Sequence, residues 1–272
     1  MNKHETFGNY PTSGLAGAES ALLTIWPSLE RYQNELVLVG GLAIHYLTKH
    51  SSHGLPGAVT MDVDLGISLG ADGGLYGTIS TTLGGLGFHP DDAQKNRFAR
   101  QVGGIHIYLD FLTECPGVST GTQTIDDIRA SIVPGIDRAL ASRRNIKATG
   151  TDIYGVNKEI AIPVADIGPL LALKLNAFGG PTGRRHPKDA YDVLLAVTTF
   201  IDGPEEAVRL FHTEANQDNP AYGIAVEVLE MDFLETTSDG PVRAAEFLRG
   251  TLDDALRIRQ DLVTAARALL GM

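Results

Sequence analysis

Hydrophobic spacing along the chain changes character near residue 165. Before that point, short apolar runs alternate with loops that carry glycine and proline. Beyond it, nearly every segment repeats at helical intervals. Ala16–Tyr32 reads as a helix with Leu22, Leu23, Trp26 and Leu29 on one face. Leu36–Val39 is a short buried strand, and Leu42–His50 a helix that follows Gly40-Gly41. Residues 51–60 hold Ser51, Ser52, Gly54, Pro56 and Gly57 and read as a loop. Met61–Ser68 is a second strand, and Leu75–Leu86 is expected to be helical. Arg97–Val102 and Ile105–Leu112 form a hairpin closed by Gly103-Gly104, a dipeptide suited to a tight turn. A helix over Val133–Ser142 lies within a stretch, 116–157, that gives little pattern, and a strand over Lys158–Val164 follows it. Asp166 is a good helix N-cap, with Pro169 in the first turn. Six helical stretches come after it: Ile167–Ala177, Lys188–Phe200, Pro204–Glu214, Ala221–Leu234, Val242–Leu248 and Leu252–Leu270. The predicted fold is α+β. A mixed sheet with flanking helices occupies 16–165, a helical domain occupies 166–272, and the active site is expected in the cleft between them.

Composition narrows the class. At 272 residues, 43% of them hydrophobic, the chain is long enough for a sizeable core. The lone Cys115 rules out a disulfide framework or a cysteine-rich zinc site and fits a reducing cytoplasm. No signal peptide or membrane-spanning run is visible. The first fifteen residues are polar and are expected to be flexible. A net charge of −11 disfavours a broad nucleic-acid-binding surface and confines any such contact to basic islands. Two islands exist: Arg138, Arg143, Arg144 and Lys147, then Arg184, Arg185, His186 and Lys188. Either one alone reads as an ordinary solvated face.

The most informative chemistry lies between residues 39 and 64. Asp62 and Asp64 are two apart on a strand, so both project to the same side while Val63 turns inward. Two carboxylates held together repel unless a cation lies between them. Hard oxygen ligands of this kind suit Mg²⁺. Asp110 is a lone carboxylate near the end of the apolar strand GIHIYLDFLT. It completes a cluster with Asp62 and Asp64 if the two strands are neighbours. An Asp-x-Asp at a strand end is commonly a turn or a cap. The diglycine ahead of it and Asp110 behind it shift the balance towards catalysis.

The series VGG, about twenty residues, MDVDL, a gap and YLDFL resembles the nucleotidyltransferase superfamily built on the DNA polymerase β palm. Downstream, LLALKLNAF, a loop with Arg184 and Arg185, and HPKDAYDVLL narrow the likeness. The pattern is similar to the AbiEii-type nucleotidyltransferases, the toxin half of many toxin–antitoxin and abortive-infection systems. The resemblance spans about residues 36–200. It implies a polymerase β-like sheet and transfer of a nucleoside monophosphate from NTP to an acceptor hydroxyl with release of pyrophosphate. Asp62 and Asp64 would then hold two divalent ions, Mg²⁺ by expectation. Asp110 would bind the catalytic ion and help deprotonate the acceptor. Gly40 and Gly41 would let backbone N–H groups approach the triphosphate, with the positive end of the next helix turned towards it. The resemblance assigns Lys174 to nucleotide phosphate, although a lysine beside a leucine-rich face is usually solvated. Asp189 and Asp192, three apart on one helical face, would belong to the same cleft, with Asp192 a candidate either for supporting the residues that touch nucleotide or for base recognition. Arg184 or Arg185 would touch phosphate or an RNA acceptor. The implied partners are an NTP, a tRNA or other macromolecular acceptor, and a cognate antitoxin.

Competing signals fail. GGPTGRR at 179–185 lacks the Gly-Lys-Ser/Thr ending of a phosphate loop. The histidines show no zinc-ligand spacing. His45 reads as structural, Cys115 has no base partner, and no serine sits in a nucleophile elbow. Two other functions are compatible with the pattern. One is the same transfer to a small cationic acceptor such as an aminoglycoside, which an acidic protein would attract. The other is a non-catalytic relative that binds nucleotide or a partner.

Overall fold

A computed structural model of the chain describes residues 4–48, 54–68, 79–94, 96–125 and 127–272. Its elements run in the order α1 (Gly14–Leu29), β1 (Leu36–Val39), α2 (Gly40–Leu47), β2 (Asp62–Ile67), α3 (Ile79–Gly85), β3 (His89–Pro90), β4 (Arg97–Val102), β5 (Ile105–Thr113), β6 (Thr122–Ile125), β7 (Ile128–Ile132), α4 (Ile136–Ala141), β8 (Arg143–Thr151) and β9 (Asn157–Ala165). Then come α5 (Ile167–Gly179), α6 (Pro187–Thr198), α7 (Pro204–Thr213), α8 (Pro220–Asp232), α9 (Asp239–Phe247) and α10 (Ala255–Leu269). The chain is thus a mixed α+β protein. The end of the helix expected over Leu42–His50, the start of the loop at 51–60 and the start of the helix expected over Leu75–Leu86 fall outside the described residues.

The chain divides into two compact units. One comprises Thr12–Ala43 and Thr60–Asp166; the other comprises Met1–Pro11, Ile44–Val59 and Ile167–Met272. The first contains all nine strands found among the described residues, ordered β3-β4-β5-β2-β1-β9-β8, with β7 on β5 and β6 on β7. Every residue of β1 is buried, as expected of a central strand flanked on both sides. Gly103 (φ +57°) and Gly104 (φ +86°) close the β4–β5 hairpin, and two successive left-handed residues define the tight turn that matches strand twist. This two-residue turn fixes the hairpin register, so Arg97 faces Asp110. On the sheet face bearing Ile105 and Ile107, helix α1 lies close enough for Gly17 to touch both. Helix α4 meets the opposite face, where Ile136 lies against Gly66.

Residues 116–157, nearly blank in the sequence, hold β6, β7, α4 and β8. The first basic island is built into this region. Arg143 donates to the carbonyls of Gln33, Asn34 and Leu36 at 3.0–3.3 Å. Arg144 pairs with Asp166 at 2.8 Å, and Lys147 with Glu159 at 2.8 Å.

The second unit is helical. Its core gathers Leu171, Leu175, Phe178, Tyr191, Leu194, Phe211, Phe233 and Phe247, all fully buried. Phe178 meets Phe233 edge-on at 5.1 Å, and Tyr191 tilts against Phe247 at 5.3 Å. Tyr10 packs on Phe247 at 6.0 Å and is buried, so part of the N-terminal stretch expected to be flexible is anchored by aromatic contacts. Tyr191 also donates its hydroxyl hydrogen bond to the Pro56 carbonyl.

Candidate active site

Strand parity assembles the acidic centre. Strands β2 and β5 are parallel neighbours, with Asp64 opposite Asp110 and Asp62 opposite Tyr108. Because successive residues alternate faces, Asp62, Asp64, Tyr108 and Asp110 share one side of the sheet. Val63, Leu65, Leu109 and Phe111 take the other and are fully buried. The structure therefore brings the three aspartates onto one face of adjacent strands.

Gly40 lies against this group. Strand β1 passes directly into α2 there, with Gly40 at φ +73°. A Cβ on Gly40 would stand 1.9 Å from Oδ2 of Asp64. Glycine is thus required twice, for its backbone angle and for the space Asp64 fills. Gly40→Ala is expected to destabilise the chain by about 1–2 kcal/mol from the left-handed backbone alone. It should also displace the Asp64 carboxylate. Urea unfolding checks this; an unchanged midpoint would contradict the packing.

Among the described residues, Arg97 places a cation against these carboxylates. Its Nε donates to Oδ1 of Asp110 at 2.8 Å, and its Nη2 donates to Oδ2 of the same carboxylate. Nη2 also lies 3.4 Å from Oδ1 of Asp62. The guanidinium stacks 4.4 Å from the centre of the Tyr108 ring, a cation–π contact. Burial alone would lower the pKa of Arg97, but the hydrogen bond to Asp110 and the charges of Asp110, Asp62 and Asp64 raise it above the usual arginine value. Sequence reasoning missed this residue. The signal was available, because counting back from Gly103-Gly104 places residue 97 opposite residue 110.

Three aspartates are the hard donors that Mg²⁺ takes, so the donor chemistry fits a divalent ion. Among the described residues, no group of three or more His, Cys, Asp or Glu side chains is gathered to hold a metal. Arg97 fills the space against Asp110 and reaches Asp62.

The other predicted residues lie on α5, on α6 and in the turn between them. Lys174, from α5, and Lys188, from α6, each place Nζ 2.6 Å from Oδ2 of Asp192. Asp189 lies 3.8 Å from Lys174 and accepts from Arg184 at 3.0 Å. Lys174, Lys188, Asp189 and Asp192 are all buried. Burial pushes the Asp192 carboxyl up, yet Lys174 and Lys188 hold it below the usual carboxylate range. Arg185, in a left-handed conformation at φ +48°, pairs with Asp232 at 2.6 Å and Asp239 at 2.7 Å. Those two bonds raise the pKa of its guanidinium. His186 then caps α6 by accepting from the Lys188 N–H at 3.2 Å.

The chain is an α+β protein whose sheet unit sets paired aspartates beside Gly40, and whose helical unit holds a buried lysine–aspartate network. Residues 22–270 match the family model described as nucleotidyl transferase AbiEii toxin, type IV toxin–antitoxin system. The chain belongs to that family, and so to a family of nucleotidyltransferases, which are transferase enzymes. Membership implies a nucleotide substrate and an antitoxin partner. No curated protein matches the chain. No helix among the described residues is long and apolar enough to cross a membrane.

Proposed function

We propose that this toxin is a Mg²⁺-dependent enzyme that moves a nucleoside monophosphate from an NTP to a hydroxyl of tRNA or another macromolecule. The observation that carries the reading is the placement of Asp62, Asp64 and Asp110 on one face of adjacent parallel strands, next to Gly40. Asp62 and Asp64 would hold two divalent ions, and Asp110 would help bind one of them. When bound, such ions neutralise charge on the triphosphate and on the attacking and leaving oxygens. The acceptor oxygen forms its bond to the α-phosphorus as the bond to pyrophosphate breaks, and Asp110 helps remove the hydroxyl proton. Gly40 and Gly41 would present backbone N–H groups to the triphosphate at the start of α2.

Lys174 is assigned to nucleotide phosphate, with Asp192 fixing its ammonium. Asp189 would hold Arg184 in the same way. Arg184 and Arg185 remain the candidates for phosphate or the RNA acceptor. A polymerase β-like sheet over 16–165 and a helical domain over 166–272 form part of the same proposal.

Purified protein incubated with Mg²⁺, total RNA and each of the four α-labelled NTPs tests the reading. Label is expected to enter RNA in a Mg²⁺-dependent reaction with at least one nucleotide. Label that stays in the nucleotide pool with all four would overturn it. The net charge of −11 favours a second acceptor class, a small polycation such as an aminoglycoside. Label entering the drug but not RNA would establish that alternative.

A further inference from the structure

We propose that Arg97 is a resident cation of the carboxylate centre, competing with divalent metal for Asp110 and Asp62, so that metal loading requires its guanidinium to leave Asp110. The inference rests on the metal-dependent reading above and goes beyond it by giving the centre a built-in counter-ion.

Four observations carry it. The hairpin register places Arg97 opposite Asp110, so the contact follows from backbone topology and not from chance side-chain placement. Arg97 engages both oxygens of Asp110, the bidentate geometry in which guanidinium binds carboxylate most strongly. Its remaining reach is towards Asp62, at 3.4 Å, so one guanidinium spans carboxylates from both strands. The Arg97 side chain is only 5% exposed and rests on the Tyr108 ring, which leaves solvent little part in screening the charge. A divalent ion bound by the same oxygens would face this buried positive charge at close range. Both cannot hold Asp110 at full strength.

The consequence is a centre that is stable without metal and binds it weakly on its own. Removing the charge at position 97 should therefore tighten metal binding, the opposite of what loss of a merely structural residue would do. The experiment is titration of the full chain with Mn²⁺, without nucleotide, by calorimetry. Arg97→Gln and Arg97→Met are expected to bind Mn²⁺ at least tenfold more tightly than the unsubstituted protein. Arg97→Lys should stay within about threefold, and Asp64→Asn added to Arg97→Gln should erase the gain. In the unsubstituted protein, the Nε–H resonance of Arg97 should be protected from exchange without metal and lose that protection at saturating Mg²⁺. This readout needs no variant to fold.

If Mn²⁺ binds through Asp64 but the Arg97 variants gain nothing, or if the Nε–H stays protected at saturation, the competition is refuted and the metal-dependent reading survives. If neither the unsubstituted protein nor the folded variants bind Mn²⁺, the metal reading itself fails, and the inference with it.

Discussion

Asp64→Asn is expected to reduce nucleotidyl transfer by about 10³-fold or more while leaving the fold intact. The substitution keeps the shape of the side chain and removes its charge. Asp64 is the best placed of the three carboxylates, in register with Asp110 on one neighbour and with Val39 on the other. Its carboxylate fills the space beside Gly40, where the resemblance places the triphosphate. A neutral amide there would leave the developing charge on the phosphates uncompensated. Asp62→Asn should behave alike. The double variant should be little worse than either single one, because groups that act as a unit give non-additive losses. Turnover of labelled NTP alongside a thermal melt measures both effects. Transfer within threefold of the unsubstituted protein, with the fold retained, would remove Asp64 from the chemistry.

Asp192→Ala should cost about 3–5 kcal/mol of stability, the range for breaking a buried ion pair by deleting one partner. Asp192 is fully buried, and one of its oxygens serves both Lys174 and Lys188 at 2.6 Å. Without it, Lys174 keeps the 3.8 Å contact with Asp189, which already accepts from Arg184. Replacing both lysines with methionine in the same background should recover much of the loss, because uncompensated charge, not lost packing, is the cause. The network also sets a pH dependence. The folded-state pKa of Asp192 lies below its unfolded value, since its two lysines outweigh burial. Its contribution is therefore fully present above the unfolded carboxylate pKa of about 3.9 and is lost as pH falls through the lower folded value. Urea unfolding at pH 7 and at steps below pH 4 measures both. A loss under about 1 kcal/mol at pH 7 would contradict the account of the network.

Much of the fold was legible because several signals agreed. The strand Leu36–Val39 is a pure apolar run, and a diglycine marks the hairpin over 97–113. The six C-terminal helices carry helical spacing, and three of them begin at a proline. Within residues 116–157 the helix expected over Val133–Ser142 forms as α4, but the strands were illegible for a physical reason. Strands β6 and β8 are largely exposed, so their sequences carry little alternation to read. At Gly40-Gly41 the sequence suggested a turn ahead of a helix, whereas α2 begins at Gly40 itself.

The candidate site was legible in part. The two-residue spacing of Asp62 and Asp64 gave their common face, and Asp110 needed only the guess that its strand was a neighbour. Arg97 was overlooked although the hairpin register specified it. The pairing of Lys174 with Asp192 joins two helices eighteen residues apart in sequence and could not be read from spacing, whereas Lys188 and Asp192 stand at the i, i+4 separation that neighbours on a helix share. Of the basic islands, taken as solvated faces, Lys147 and Arg184 are exposed as expected, but other members are tied down. Arg143 holds three carbonyls, and Arg185 fastens the turn before α6 to Asp232 and Asp239.

The most direct test of the whole account is a crystal structure with Mn²⁺ and a non-hydrolysable NTP analogue, read by anomalous scattering. Manganese is expected within coordinating distance of Asp62 and Asp64, with Arg97 drawn off Asp110 and the triphosphate beside Gly40. Nucleotide bound with no manganese at these carboxylates, or manganese held by other residues, would contradict it.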